Sequence, residues 1–287
     1  MYDAIVIGYG PAGASGALYL LRGGCKTLVV GRDGGSLSQA SRIENFYGQK
    51  NPVSGSELVN TGIEQIKALG GEVVNAEITS IGFGDVFTVA TPDTEYTTKT
   101  VLIATGRERK KAPVAGLERY EGRGVSYCAV CDGFFYRGKT VAVLGEGEYA
   151  LSEALELASL VSKVTIYTNG REPAFKPDER VEVDRRRITG IKGADTVTAL
   201  VFEDGDAPAD GVFVAVGSAS GLDFAKKLGL GVKDGALQVN ENQMTNLPGV
   251  FAAGDCTGGV LQIVVAAGEG ARAGLSMIEF VRNLKRV

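Results

Sequence analysis

Twice along the chain an apolar run stops at a pair of glycines and passes directly into a helical pattern. The first instance is "DAIVIGYGPAGASGALYLLRGG", with Gly8, Gly10 and Gly13 in the turn and apolar positions at Ala14, Ala17, Leu18 and Leu21 after it. The second is "TVAVLGEGEYALSEALELA", with Gly145, Gly147 and Ala150 in the same places. A buried strand that ends in Gly-x-Gly-x-x-Gly/Ala and opens a helix is the first half of a parallel βαβ unit. Its glycines permit a tight turn, a close approach of backbone N–H groups to a pyrophosphate, and tight packing of helix on strand. A second strand completes each unit, "KTLVVG" in one case and Val164 to Tyr167 in the other. The fold class is therefore α/β, with two Rossmann-like nucleotide-binding domains.

The order is expected to be discontinuous. A strand-rich stretch ends in "TVLIATGRE", and near the C-terminus an apolar strand stops at Gly254 and Asp255 before a small-residue helix over Ala266 to Val281. Residues 1–112 and 243–287 then form one domain, with 113–242 inserted in it. Pro113 and the turn-rich region Asn240 to Pro248 are the expected hinges. The strand "KTLVVG" ends without the acid that usually meets an adenosine ribose; Gly31, Arg32 and Asp33 stand there, so Asp33 is a displaced candidate.

Forty-one glycines, placed at such strand–helix turns and not in low-complexity tracts, favour nucleotide loops over disorder. A net charge of −4 gives no global attraction to nucleic acid or anionic membrane. Two basic clusters remain, Arg107, Arg109, Lys110 and Lys111, and Arg185, Arg186 and Arg187, for which solvated surface charge is the simpler reading. No charged and apolar leader precedes the first strand and no apolar run reaches about 18 residues, so a cytoplasmic location is expected.

Of four cysteines, Cys25 and Cys256 are isolated and read as inert core thiols, whereas Cys128 and Cys131 form a C-x-x-C. Two cysteines at i and i+3 beside a helix start can form a small-ring disulfide, and in the reduced pair the helix N-terminus favours a thiolate that exchanges readily. A zinc half-site is the competing reading, but it needs two further ligands, and the chain has no histidine and no second C-x-x-C; no metal site is expected. Asp132 is placed either to move a proton during thiol release or to cap a helix.

Gly8 to Gly13, "GGSL" (Gly34 to Leu37), "IENF" (Ile43 to Phe46), "IATG" (Ile103 to Gly106), Cys128 to Asp132, "VFVAVG" and "FAAGD" followed by Gln262 resemble, in order and spacing, the low-molecular-weight thioredoxin reductases over nearly the whole chain. The resemblance implies domains of the three-layer ββα type, as in pyridine nucleotide-disulfide oxidoreductases, with FAD in the first and the redox dithiol in the second. It further implies a homodimer and thioredoxin as acceptor. On the matching positions, Gly8, Gly10, Pro11, Ala12 and Gly13 resemble the FAD pyrophosphate loop. Arg32, Asp33, Gly35, Ser36 and Leu37 follow it, and Asn45 is similar to the residue beside the isoalloxazine. Ala104, Thr105, Gly106 and Gly254 border the cofactor, Asp255 resembles the ribityl-binding acid, and Gln262 and Ile263 resemble the contacts beside the flavin pyrimidine; Leu261 stands where the family has arginine. The family assigns Cys131 to the flavin side and Cys128 to attack on thioredoxin.

One part departs from that pattern. Glu146 replaces a small residue in the second turn, and Thr168, Asn169, Gly170 and Arg171 follow the second strand where the family has His-Arg-Arg, in a middle domain shorter than usual. Carboxylates beside a pyrophosphate and lost arginines both oppose NADPH. A retained FAD site and dithiol without that signature resembles the ferredoxin-dependent flavin thioredoxin reductases, in which an acidic iron–sulfur protein delivers electrons singly; a basic cluster would then steer the donor. The alternatives are an NAD(P)H-dependent reductase using Arg171 or Arg185 to Arg187 as a rearranged phosphate grip, a different disulfide acceptor, and a non-catalytic flavin–dithiol sensor.

Overall fold

The computed structural model describes residues 1–106, 114–217 and 219–284. By its internal contacts the chain divides into two units, Met1–Glu108 with Ser220–Val287, and Arg109–Ala219.

In the first unit β1 (Tyr2–Ile7) leads through a glycine turn to α1 (Pro11–Arg22) and β2 (Thr27–Gly31). There follow α2 (Gly35–Ser38), α3 (Gly55–Ala68), β3 (Glu72–Asn75), β4 (Ser80–Phe83), β5 (Phe87–Ala90) and the long β6 (Glu95–Ile103). The apolar run of β1 is buried on both faces, as a central parallel strand must be, with β2 on one side and β6 on the other. Strand β6 changes partners along its length: its first half pairs antiparallel with β5, its second half parallel with β1. Helix α1 begins with Pro11 at its first turn, where a missing N–H costs nothing. Helix α3 begins in a capping box between Ser54 and Glu57.

The second unit opens with β7 (Val125–Ser126) and the one-turn helix α4 (Ala129–Asp132), then β8 (Thr140–Leu144), α5 (Glu148–Ala158), β9 (Lys163–Tyr167) and β10 (Glu182–Asp184). An antiparallel meander, β11 (Gly190–Lys192), β12 (Ala199–Phe202) and β13 (Gly205–Pro208), precedes β14 (Gly211–Val214). The five-stranded parallel sheet runs β10-β9-β8-β14-β7. Each unit thus has the parallel sheet and covering helix expected from its βαβ signature, together with the antiparallel β layer that the family resemblance implies.

The chain re-enters the first unit at Ser220 and not near residue 243, which corrects the expected boundary. Ser220 and Asp223 form a capping box for α6 (Gly221–Leu228), which packs against β4 and against the small hairpin of β15 (Val232–Lys233) and β16 (Ala236–Leu237). The turn around Asn240 is likewise not a hinge. Asn240 and Gln243 bond through their backbones to Met244 and Ala252, tying it to β17 (Val250–Ala252) inside the first unit. Pro113 lies outside the described residues. Strand β17 joins β6, and α7 (Ile263–Leu284), longer at both ends than the sequence pattern implied, lies along α1. The two helices approach backbone to backbone: a Cβ at Gly270 would lie 1.9 Å from the Ala12 carbonyl oxygen. Among the described residues no helix is long and apolar enough to cross a membrane.

Candidate active site

In the first unit the C-terminal ends of β1, β6 and β17 converge on the α1 N-terminus, the crevice where parallel α/β sheets take ligands. Gly8, at φ +98°, turns the chain out of β1 with the Ala104 carbonyl oxygen where a Cβ would point, 2.4 Å away. Gly13 sits against Gly8, its would-be Cβ 1.9 Å from the Gly8 carbonyl oxygen. Gly10, the N-cap of α1, differs: nothing lies within 4 Å of a Cβ built there. Two of the glycines are therefore required by protein packing, and the third keeps a face clear above the helix N-terminus, where free N–H groups attract phosphate.

Around this crevice the structure gathers most of the expected residues. Arg32, just beyond β2, is held by the buried carboxylate of Glu77 at 3.3 Å and lies 3.7 Å from Asp33. Asp33 in turn accepts the Gly35 N–H at 2.9 Å and so sets the start of α2, which carries Ser36 and Leu37. Asn45 and Gln262, 217 positions apart in sequence, are hydrogen-bonded side chain to side chain at 3.2 Å. Thr105, between Ala104 and Gly106, has its hydroxyl oxygen buried without a protein hydrogen-bond partner. Gly254, at φ +82°, and Asp255 open a short 3-10 turn; Ile263 begins α7. Glu269, nearly two turns into α7, accepts the Gly254 N–H at 2.7 Å and the Thr257 hydroxyl at 3.2 Å, locking the Gly254–Asp255 turn. These residues fit a dinucleotide-type cofactor: a clear cradle at Gly10, an unpartnered buried hydroxyl at Thr105, and the Asn45–Gln262 pair left exposed. Neither Glu269 nor Glu77 was legible as a site residue, since each matters through a turn that another segment supplies.

In the second unit Cys128 and Cys131 form a disulfide across α4. Cys128 is the helix N-cap, its sulfur accepting the Cys131 N–H at 3.2 Å. Cys128 is 2% exposed, whereas Cys131 is open to solvent beside the exposed Val130, Phe134 and Phe135. Attack by Cys128 on an external disulfide therefore requires that sulfur to be uncovered. Asp132 makes no side-chain cap; its carboxylate accepts the Ser126 hydroxyl at 2.6 Å, and Ser126 also accepts the Cys128 N–H at 3.1 Å. Ser126 thus ties the aspartate to the cysteine backbone. Among the described residues no cluster suited to a metal ion occurs. Cys25 and Cys256 are buried and take no part in a disulfide, and burial pushes the Cys256 thiol up to about 12.

The second glycine turn, between β8 and α5, is occupied by its own chain. Glu146 forms an ion pair with Arg171, and its carbonyl accepts the Ala174 N–H at 2.7 Å, drawing the segment after β9 onto the turn. The carboxylate of Glu146 is directed to that segment; Glu148 is the first residue of α5. Arg185 pairs with Glu172, Arg186 with Asp184 and Asp204, and Arg187 packs beside Gly170. The Arg186 guanidinium, donating to Asp184, holds that carboxyl below its usual range. A cavity of about 450 Å³ remains, bordered by Gly145, Glu146, Thr168, Arg171, Arg187 and Glu203. The other basic cluster, Arg107 with Arg109 to Lys111, lies outside the described residues.

Residues 2–270 match the family model of the pyridine nucleotide-disulphide oxidoreductases. The chain is 35% identical to the thioredoxin reductase of Listeria monocytogenes, covering 99% of this chain and 95% of that one. Among solved structures it is similar to the atypical thioredoxin reductase of Desulfovibrio vulgaris Hildenborough, with 39% identity, a TM-score of 0.94 and 99% of both chains covered. It is also similar to a ferredoxin-flavin thioredoxin reductase from Clostridium acetobutylicum, with 34% identity, a TM-score of 0.74 and 98% of both chains covered. Thioredoxin reductases of this family are FAD-binding flavoproteins, and FAD is the cofactor that the first unit fits. With its two glycine turns, its Asn45–Gln262 pair and its C-x-x-C disulfide in one chain, the protein belongs to the pyridine nucleotide-disulphide oxidoreductase family and, within it, to the low-molecular-weight thioredoxin reductases.

Proposed function

We propose that the protein reduces a thioredoxin disulfide through Cys128 and Cys131, with electrons supplied by a reduced ferredoxin and not by NADPH. The observation that carries the choice of donor is the Glu146–Arg171 ion pair in the second glycine turn. A nicotinamide dinucleotide would bring its pyrophosphate against the Glu146 carboxylate, while Arg171, Arg185 and Arg186 are already committed to acids. Repulsion and lost attraction of about 1 kcal/mol or more per charge, summed over several charges, weaken an ordinary micromolar site by about a thousandfold. The same pairing lowers the net positive charge that Arg185 and Arg186 offer to an acidic donor. The ferredoxin-flavin name of the Clostridium acetobutylicum neighbour supports this reading.

FAD, when bound, supplies exchange of electrons singly or in pairs, which links a one-electron carrier to a two-electron disulfide. Gly8, Gly10 and Gly13 would hold its pyrophosphate at the α1 N-terminus, Arg32 and Asp33 its adenosine end, and Asn45, Asp255, Gln262 and Ile263 its flavin end. The remaining chemistry belongs to the chain. Two electrons and two protons open the Cys128–Cys131 bond. The Cys128 thiolate attacks the thioredoxin disulfide, releasing a thiolate that takes up a proton, for which Asp132, held by Ser126, is the nearest carboxyl in α4. Cys131 then attacks Cys128, and reduced thioredoxin leaves. The exposed rings of Phe134 and Phe135 and the side chain of Val130 give the acceptor an apolar landing beside the sulfur.

Calorimetric titration of the FAD-loaded protein with NADPH and with NADH tests the donor reading. The expected dissociation constant is about 1 mM or weaker for both; micromolar binding of either would overturn it.

The homodimer is assigned to the groove between α1, α3 and α7, about 1170 Å³, where Tyr19, Leu69 and the 55%-exposed Leu275 stand uncovered beside Ile278. Glu279 and Arg282 on one helix offer both signs of charge, as a self-complementary surface needs. Leu275→Glu is expected to give a monomer by light scattering while retaining flavin; an unchanged dimer would place the interface elsewhere.

A further inference from the structure

We infer that Glu153 is a positioning residue of the dithiol, and that its buried carboxylate makes the reduced pair a stronger electron donor by disfavouring the Cys128 thiolate. Glu153 lies on the inner face of α5 at 1% exposure, and its Oε2 accepts the N–H of Ala129 at 2.7 Å. That amide is the first of α4 and belongs to the residue after Cys128, whose sulfur takes the Cys131 N–H. The free N–H groups of a helix start ordinarily stabilise an N-cap thiolate. Here Ala129, one of those donors, is given to a carboxylate, and a like charge is fixed one peptide from the sulfur. Both effects raise the cost of the thiolate, and burial keeps them from being screened as a surface charge would be. Among the described residues, titratable groups on or beside α4 include Asp132, held by Ser126, and Tyr136, whose phenol is pushed up by burial and by Asp132; Glu156 lies one turn along α5 from Glu153.

A dithiol whose reduced form is stabilised is oxidising, and one whose thiolate is disfavoured gives up its electron pair more readily. In each exchange the Cys128–Cys131 bond re-forms, the acceptor disulfide breaks, and two electrons and two protons pass to the acceptor. A reductase benefits from this bias. The inference rests on the disulfide-exchange reading and is independent of the electron donor.

The test uses the FAD-loaded protein. In a Cys131→Ser background the ultraviolet absorbance of the Cys128 thiolate is followed against pH, with and without Glu153→Gln, and the midpoint is expected to fall by about one pH unit in the glutamine variant. With both cysteines present, equilibration with glutathione at about pH 9 is expected to shift about tenfold toward the dithiol in Glu153→Gln, about 30 mV. Glu153→Asp, which keeps the charge, is expected to stay near the parent. A glutamine variant that matches the parent in both measurements, or an aspartate variant that shifts as far as the glutamine one, overturns the inference. Failure of the reduced parent to reduce thioredoxin would instead overturn the exchange reading, and the two titrations would still report on Glu153.

Discussion

Gly13→Ala is expected to yield a protein that neither retains flavin nor keeps its thermal stability. The added carbon would sit 1.9 Å from the Gly8 carbonyl oxygen and 3.2 Å from Val6 Cγ1, and the first of these is backbone that cannot rotate away. Helix α1 must then lift from β1, and because α1 also meets α7 without intervening side chains, the displacement spreads. Overpacking of this kind costs about 1–3 kcal/mol, and a contact this short belongs at or above the upper end. Gly10→Ala separates fold from site. Its Cβ meets no protein atom within 4 Å, so the unit should melt as before without flavin, while flavin affinity falls. Visible absorbance after purification and melting of the flavin-free proteins read both effects. A Gly10→Ala protein that retains flavin as the parent does would contradict the placement of the pyrophosphate at Gly10.

Cys131→Ser and Cys128→Ser are each expected to lower thioredoxin turnover by at least about a thousandfold while leaving the flavin bound, because the pair acts as one unit and neither sulfur completes the exchange alone. The variants should differ in what they trap. In Cys131→Ser the mixed disulfide with thioredoxin cannot be resolved, so a covalent complex through Cys128 accumulates under mass spectrometry. In Cys128→Ser, the sulfur left is the one already open to solvent, and it is expected to react with small alkylating reagents but to form little complex. A stable complex through Cys131 would reverse the assigned roles, a result the 2% exposure of Cys128 makes worth seeking.

What was legible in the sequence is what local pattern controls. Each glycine turn flanked by an apolar strand and a helical stripe became a βαβ unit with its strands in parallel register, because the turn, the buried strand and the small third residue are all short-range requirements. The dithiol followed from spacing and from the lack of other metal ligands. The return to the first unit at Ser220 was not legible: the turn residues from Asn240 to Pro248 look like a linker, whereas the Ser220–Asp223 cap is an ordinary helix start whose allegiance is decided by packing on β4. The groups that tune the site were missed for a related reason. Glu269 and Glu77 act on turns contributed by distant segments. Glu153 did leave a signal, since it falls in the buried stripe with Ala150, Ala154 and Leu157, where an acid needs a partner. Naming that partner as Ala129 required the fold. The sequence posed the question of Glu146 without its answer, because the arginine that meets it arrives after β9 in a loop without regular pattern.

The choice of donor is settled most directly by following flavin absorbance under anaerobic conditions as NADPH, NADH or chemically reduced ferredoxin is added, with thiols released from thioredoxin as the endpoint. Bleaching and sustained thiol release with ferredoxin, and with neither nicotinamide, is the result expected from a second glycine turn closed by the Glu146–Arg171 pair. Rapid, saturable bleaching by NADPH would contradict it and make the cavity beside Arg187 a working phosphate site.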